Sequence, residues 1–267
     1  LIVISQSGET ADTIAAMREA RRHGVKALGI VNVIGSTIYR EADEVFPTLA
    51  GPEICVASTK AYITQLIAQY LVALHFAQIR GQMDEKEVCR ILSEMQQLPA
   101  QVQLIFEQNE DKIADLAKTF TEYHDFFFLG RGLDYAASLE GALKLKEISY
   151  IHSEAAAAGE LKHGPLALIT EGTPVMAVCV QQELCDKMRN NIREVAARGA
   201  HIIGLIKESD TATEKAVAEV IRIPDADGLL MPVLTIIPTY LLTYYLSLAL
   251  GREIDQPRNL AKSVTVE

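Results

Sequence analysis

Short apolar runs alternate along the chain with longer stretches in which apolar residues recur every three to four positions. The runs LIVIS, KALGIVN, EVFPTL, DFFFLG, TPVMAVCV, HIIGLI and EVIRIP read as strands, and most of the stretches between them have helical periodicity. Strand alternating with amphipathic helix predicts an α/β fold with parallel strands. Residues 229 to 250 depart from the pattern, because they carry no charge over about the length that spans a bilayer. Pro232, Pro238 and several hydroxyls interrupt this segment, and in an otherwise well-charged chain it reads as a buried core helix rather than a membrane span.

The pattern also repeats. At an offset of 175 residues Gly24 falls on Gly199, Gly29 on Gly204, Glu44-Val45 on Glu219-Val220 and the strand LIVI on MAVC, without a gap over about fifty positions. Each copy reads as a strand-helix-strand-strand unit. The second copy is preceded by a helix and two further strand-like segments, from Gln101 through Gly159, for which the first has no counterpart. Set back by the same offset, those elements would begin about 75 residues before Leu1, so the chain reads as a piece of a longer protein. The expected organisation is a first domain over residues 1–83, a helical connector over 84–100, a second domain over 101–250 and a tail over 251–267.

Charge and cysteine content narrow the function. Lys and Arg number 25 against 35 Asp and Glu, and a net charge of -10 argues against a nucleic-acid surface, which needs a basic face. An anionic substrate would need a local positive site. Cys55, Cys89, Cys179 and Cys185 form no CxxC pair, and no zinc spacing can be built from them and the six histidines. No metal or cofactor is expected. The run LIVIS has neither a basic leader nor a small-residue cleavage site, so a reducing, cytoplasmic setting fits.

Three stretches could carry chemistry. SQSGET follows the first strand and precedes a helix, which puts Ser5, Gln6, Ser7 and Thr10 at a helix N-terminus, where backbone N–H groups and the helix dipole attract phosphate. It is neither a Walker A loop nor a dinucleotide fingerprint, and the alternative is an ordinary cap with a Glu nearby. The equivalent stretch in the second copy, VQQELC, has neither the glycine nor the serines, which favours a function for the first. In EGALKLKEISYIHSEAAAAGELKHGP, Glu140, Lys144 and Glu147 share a helical face while Lys146 points elsewhere. A carboxylate beside an ammonium can act as a base with the cation steadying an oxyanion, yet such spacing more often makes a solvated ion-pair ladder. His163 is open to reading as a turn residue or an acid/base group. In the tail DQPRNLAKSVTVE, Lys262 is a surface amine if the tail frays and a nucleophile if it docks and is desolvated.

The segments SQSGETADT, EICVASTKAY, EGALKLKEISYIHSEAAAAGELKHGPLALI and QPRNLAKSVTVE together resemble the glucosamine-6-phosphate synthase family, within the sugar isomerase (SIS) superfamily, over the whole chain. SQSGE-type loops occur across the superfamily, whereas ELKHGP with a terminal NLAKSVTVE is specific to this family. The resemblance implies two SIS domains, each a three-layer αβα sandwich around a five-stranded parallel sheet, the first incomplete. It implies that the family's isomerase part converts fructose 6-phosphate, with ammonia from an N-terminal glutaminase domain, to glucosamine 6-phosphate. Ser5, Gln6, Ser7 and Thr10 would bind the sugar phosphate, and Glu53, Val56, Ser58 and Ala261 would line the sugar site. Glu147 would move the proton between C1 and C2 with help from Lys144, His163 would open the ring, and Lys262 would form a Schiff base with the ketose. His163 would serve the site of a second subunit, so a homodimer is implied.

The glutaminase domain and a Cys-Gly-Thr-Ser segment expected of the first SIS domain are not in this sequence. Ala156 stands where the family leads one to expect tyrosine, and Cys55 where it leads one to expect glycine. Two rival readings are a sugar-phosphate sensor module and a related isomerase or deglycase. Glu147, His163 and Lys262 together speak against a sensor, which has no use for a Schiff-base lysine.

Overall fold

A computed structural model describes residues 1–263. The chain divides into two compact units, one formed by Leu1–Cys89 with the segment from Asp255 onward, the other by Arg90–Ile254. The tail therefore belongs to the first unit, and the division falls inside a helix of the stretch read as a connector.

In the first unit the order is β1 (Ile2–Ser5), α1 (Ala11–Arg22), β2 (Leu28–Val31), α2 (Thr37–Glu41), β3 (Glu44–Pro47) and α3 (Lys60–Ile79). Its three parallel strands run in the order β1-β2-β3. Val3, Ala27 and Val31 pack against Ile14 and Met17 of α1 and Ile38 of α2. Helix α4 (Glu85–Met95) spans the division.

The second unit contains α5 (Leu98–Thr119), β4 (Asp125–Gly130), α6 (Leu133–Ser149), β5 (His152–Ala157), β6 (Pro174–Cys179), α7 (Cys185–Ala196), β7 (His201–Lys207), α8 (Thr211–Glu214), β8 (Glu219–Ile223) and α9 (Met231–Ala249). Its parallel sheet has the order β5-β4-β6-β7-β8. Strand β4 shows how both faces are covered. Phe127 and Leu129 join Met188, Ile192 and Val195 of α7 on one side, and alternation sends Phe126 and Phe128 to the other. There Gly141 of α6 comes so near that an added Cβ would stand 3.0 Å from the Phe128 ring. Helices α5 and α6 both pack on α9 on that side, giving the three-layer sandwich that the alternation of elements predicts.

Helix α9 is the uncharged segment, and among the described residues it is the one helix long and apolar enough to cross a membrane. It is mostly buried inside the second unit. Thr235, Thr239, Thr243 and Ser247, four residues apart, form one buried hydroxyl stripe along it. Thr239 donates to the Ile236 carbonyl at 2.7 Å, whereas the hydroxyls of Thr235, Thr243 and Ser247 have no hydrogen-bond partner among the described residues.

The repeat is visible in the pairing, with one adjustment. Gly29 lies opposite Val45 and Gly204 opposite Val220, at the offset read from the sequence. Helices α1 and α7 also end alike. Gly24 and Gly199 take φ of +76° and +81°, a left-handed conformation that glycine adopts without a Cβ clash. Each donates to the carbonyl three residues back, Arg21 and Ala196, at 2.9 Å. In the first strand, however, Val3 lies opposite Gly29 while Ala177 lies opposite Gly204, so the structural equivalent of Val3 is Ala177. The ungapped match is off by one at β1 and β6, and the step falls between that strand and the glycine ending the helix. Ser5 thus corresponds to Cys179, Gln6 to Val180 and Ser7 to Gln181.

Candidate functional site

In the first unit the SQSGET loop is held by its own polar groups. Gly8 has φ +67°, and a Cβ there would lie 2.0 Å from Ser36 Oγ, so only glycine lets the loop lie against the start of α2. Its N–H donates to Ser5 Oγ at 3.0 Å, its carbonyl accepts from Ile38 N–H at 3.0 Å, and Ser5 Oγ lies 3.2 Å from Thr10 Oγ1. Glu9 N–H donates to Ser7 Oγ at 3.2 Å, and the Gln6 carbonyl accepts from Asn32 N–H at 3.2 Å.

The plain cap considered above is not what forms. Thr10 occupies the N-cap position of α1 without a side-chain capping bond, whereas Ser36 does cap α2 by accepting from Tyr39 N–H. Glu9 turns away to α2, accepting from Thr37 Oγ1 and Thr37 N–H at 2.7 Å each. Those bonds, the hydroxyl's first, hold its carboxyl below the usual range. The loop therefore sets Ser5 and Thr10 hydroxyls together at an α1 N-terminus that its own side chain does not cap, an arrangement suited to an anion.

The second cluster of this unit surrounds Lys262. Its Nζ donates to the Cys55 carbonyl at 2.6 Å, Ser58 Oγ at 3.1 Å and Glu53 Oε2 at 3.2 Å. Glu53 is 3 % exposed in its side chain and also accepts from the N–H groups of Thr59 at 2.8 Å and Ala61 at 3.2 Å, so its carboxylate caps α3. Burial pushes its carboxyl up, but the bonds from Thr59, Ser58, Ala61 and Lys262 outweigh that and hold it below the usual range. Val56 N–H donates to the Asp255 carbonyl at 2.9 Å, which ties the tail to the same segment, and Pro257 is buried. As far as Lys262 the tail is docked, not frayed; residues 264–267 lie outside the described residues. Ala261, next to Lys262, is exposed. Burial pushes the Cys55 thiol up.

In the second unit, Glu140, Lys144 and Glu147 lie on α6 as their spacing predicts, but they are not a solvated ladder. Lys144 is 8 % exposed in its side chain, Glu140 10 % and Glu147 21 %. Lys144 Nζ lies 2.8 Å from Glu147 Oε2 and 3.6 Å from Glu140 Oε1, and Tyr240 of α9 donates to Glu140 Oε1 at 2.9 Å. Burial pushes the Glu140 carboxyl up against the pull of Lys144 and Tyr240. The same helix exposes Lys146. His163 closes a short 3-10 segment, Ala158–His163, with its ring 74 % exposed and Nε2 3.9 Å from Glu160 Oε2. Ala156 is buried in β5.

Sequence reading missed three partners. Tyr240 lies a hundred positions from Glu140, in a segment whose only signal is its apolarity. The Cys55 carbonyl carries no side-chain signature. Asp134, at the start of α6, is 3 % exposed and accepts from the N–H groups of Val180 at 2.9 Å and Gln181 at 3.2 Å. Cys179, Cys185 and Asp210 also come together, with ligand atoms within 4.8 Å of one another. They fit a cation poorly, because Asp210 already caps α8 through Ala212, Thr213 and the Thr213 hydroxyl, and the Arg189 guanidinium stands 3.8 Å from it.

Two α/β units with parallel sheets share one repeat, and the first carries both a hydroxyl-lined loop at a strand end and a seated lysine. The SIS domain model matches residues 1–75 and 119–250, and the chain belongs to that family. Within it the chain is similar to the glutamine–fructose-6-phosphate aminotransferases [isomerizing] of Caldanaerobacter subterraneus subsp. tengcongensis, at 55 % identity over 266 residues, and of Clostridium tetani, at 55 % over 267. Each match covers 100 % of this chain and 44 % of the relative, so the chain spans less than half the length of the curated relatives it matches. Among solved structures it is similar to the C-terminal domain of glucosamine-fructose-6-phosphate aminotransferase from Francisella tularensis. That match has 39 % identity and a TM-score of 0.91, covering 96 % of this chain and 72 % of that one.

Proposed function

We propose that this chain is the isomerase part of a glucosamine-6-phosphate synthase. It takes fructose 6-phosphate, accepts ammonia from a glutaminase domain of the full-length protein, and releases glucosamine 6-phosphate and water. The observation that carries the reading is Lys262, an amine seated on the Glu53 carboxylate, the Cys55 carbonyl and the Ser58 hydroxyl, in the same unit as the SQSGET loop. A sensor of sugar phosphates would need the loop but not the lysine. The similarity to fructose-6-phosphate aminotransferases supports the same choice.

In this mechanism Ser5, Gln6, Ser7 and Thr10 hold the phosphate, and Glu53, Val56, Ser58 and Ala261 line the sugar. His163 gives and takes the protons that open the ring. The Lys262 amine, once it has shed a proton, attacks C2 of the open ketose; the carbinolamine loses water and leaves an imine. Ammonia adds to that imine and expels the lysine as an amine, leaving an unsubstituted imine at C2. Glu147 removes a proton from C1 and returns one to C2, which converts the ketose imine into the 2-amino aldose, while Lys144 steadies the oxygen that gains charge. The route runs on amine, carboxylate and imidazole alone. The active unit is a cytoplasmic homodimer, and the exposure of His163 suits a residue that serves a second subunit.

Borohydride trapping with fructose 6-phosphate, followed by peptide mapping, tests the covalent step. Label is expected on Lys262, and Lys262→Arg is expected to lose it together with amination by on the order of 10³-fold or more. Label on Lys144 alone, or full amination by Lys262→Arg, would make the tail structural. Mixing His163→Ala with Glu147→Ala subunits tests the shared dimer: some activity returns if subunits complement each other, and none returns if each works alone.

A further inference from the structure

In the second unit a chain of polar contacts runs from the end of β4, across α7, to the residue before His163. Arg131 follows β4 and lies half-buried. Its Nε and Nη2 both donate to Asn191 Oδ1 of α7, at 3.0 and 2.9 Å. Asn191 is buried and passes the contact on, donating from Nδ2 to Glu194 Oε2 at 3.3 Å. The other oxygen of Glu194 lies 2.9 Å from Lys162 Nζ, and Lys162 directly precedes His163. Burial pushes the Glu194 carboxyl up, but the bonds from Lys162 and Asn191 outweigh it and hold the group below the usual range.

The same arginine reaches the other end of the 3-10 segment Ala158–His163. It lies so close to Gly159 that a Cβ there would stand 3.2 Å from Arg131 Nη1 and 3.5 Å from its Cζ. Between these two points Ala158 and Leu161 are fully buried in the cluster that contains Met188, Ile192 and Val195 of α7. The His163 ring, by contrast, is 74 % exposed. Packing on the ring therefore does not aim it, and the backbone of the segment does. A surface ion pair alone would contribute little to that. Here the pair is joined through a buried amide to the arginine that packs on Gly159, so removing Arg131 releases both ends at once.

We infer that Arg131, Asn191 and Glu194 are positioning residues for the ring opening assigned to His163, holding Gly159 and Lys162 so that the histidine projects in one direction. The inference rests on that proposed role of His163. In the step it serves, the C2–O5 bond of the furanose breaks, the C2 hydroxyl gives up its proton as the carbonyl forms, and O5 takes one. The histidine handles both protons, with no net change in its own.

Two substrates, given with ammonium to the full-length protein, provide the test. Fructose 6-phosphate must be opened, whereas 5-deoxyfructose 6-phosphate has no O5 with which to close the furanose and enters as the open ketose. Arg131→Ala and Glu194→Gln are expected to lower kcat for fructose 6-phosphate by about tenfold or more, because small misplacements of a positioned group are costly. With the 5-deoxy substrate both should stay within about twofold of the unsubstituted protein. Lys162→Met should show the same selective loss and Lys162→Arg, which keeps a cation on Glu194, should regain most of it. Variants that keep full activity on fructose 6-phosphate, or lose both substrates alike, overturn the inference. Should Arg131→Ala fail to fold, Glu194→Gln and the Lys162 pair decide. His163→Ala separates this inference from the reading beneath it. A loss confined to fructose 6-phosphate upholds the role of His163 whatever the other variants do, and an equal loss on both substrates removes that role and the positioning built on it.

Discussion

The loops after β1 and β6 start from equivalent strand ends and lead into helices that end in the same left-handed glycine turn, yet their polar groups do opposite things. After β1, Ser5 and Thr10 face each other, Thr10 leaves α1 without a side-chain cap, and Glu9 is drawn away to Thr37. After β6, two backbone donors are already satisfied by a buried carboxylate. A repeated backbone thus does not carry its chemistry with it. Whether a strand end is a binding site depends on what fills it, and the filler after β6 is the Asp134 carboxylate from the start of α6. The units differ likewise in where they keep charge: Lys262 sits on a tail segment against a helix cap, and Lys144 lies within a buried helix face.

The strongest test of that second contrast is Lys144→Met. It leaves Glu140 and Glu147 without their cation in a buried setting, and a loss of about 3–5 kcal/mol in unfolding free energy is expected by urea titration. A loss below about 1 kcal/mol would mean the cluster behaves like the exposed ladder its spacing suggests.

Asp134 offers a smaller effect with a definite pH signature. Burial raises its carboxyl to about 6 against the pull of the Val180 and Gln181 N–H groups and the Lys207 charge. A carboxyl whose folded value lies above its unfolded value contributes stability that is fully present below about pH 4 and lost as pH rises through about 6. Asp134→Asn should remove that slope, a change of roughly 3 kcal/mol across the window. A slope between pH 4 and 7 that Asp134→Asn leaves unaltered would count against a buried carboxylate.

The smallest expected change concerns the first loop. Replacing Ser7 and Thr10 by alanine removes neutral hydroxyl donors and is expected to weaken fructose 6-phosphate binding by about 10–100-fold, or ~1–3 kcal/mol, with the thermal midpoint nearly unchanged. A fall in stability without loss of affinity would show that these hydroxyls only shape the loop.

Alternation of apolar runs was enough to read every strand but β5, whose HSEAAA is no apolar run, and the core nature of α9, because period and charge report burial directly. Residue types at SQSGET and on α6 placed Ser5, Thr10, Lys144 and Glu147 on the right elements. Spacing did not reveal that the α6 cluster is buried, since a helix face looks the same in sequence whether water or Tyr240 lies against it. Nor did it reveal the docked tail, which depends on contacts between residues about two hundred positions apart, Lys262 with Glu53 and Ser58. The one-residue step between the repeats escaped because an ungapped match rewards the glycines and is blind to which strand residues lie opposite them.

The hydroxyl stripe of α9 bears on how this sequence can drift and be improved. Three buried oxygens, on Thr235, Thr243 and Ser247, lack partners among the described residues in a core of closely packed helices. Each forgoes roughly 1–3 kcal/mol relative to an apolar group of similar shape. The fold has held them without failing, so the second unit tolerates imperfection at its centre. Threonine to valine at 235 and 243 are the substitutions by which selection for heat resistance could raise the melting point without touching the loop, the tail or the α6 cluster.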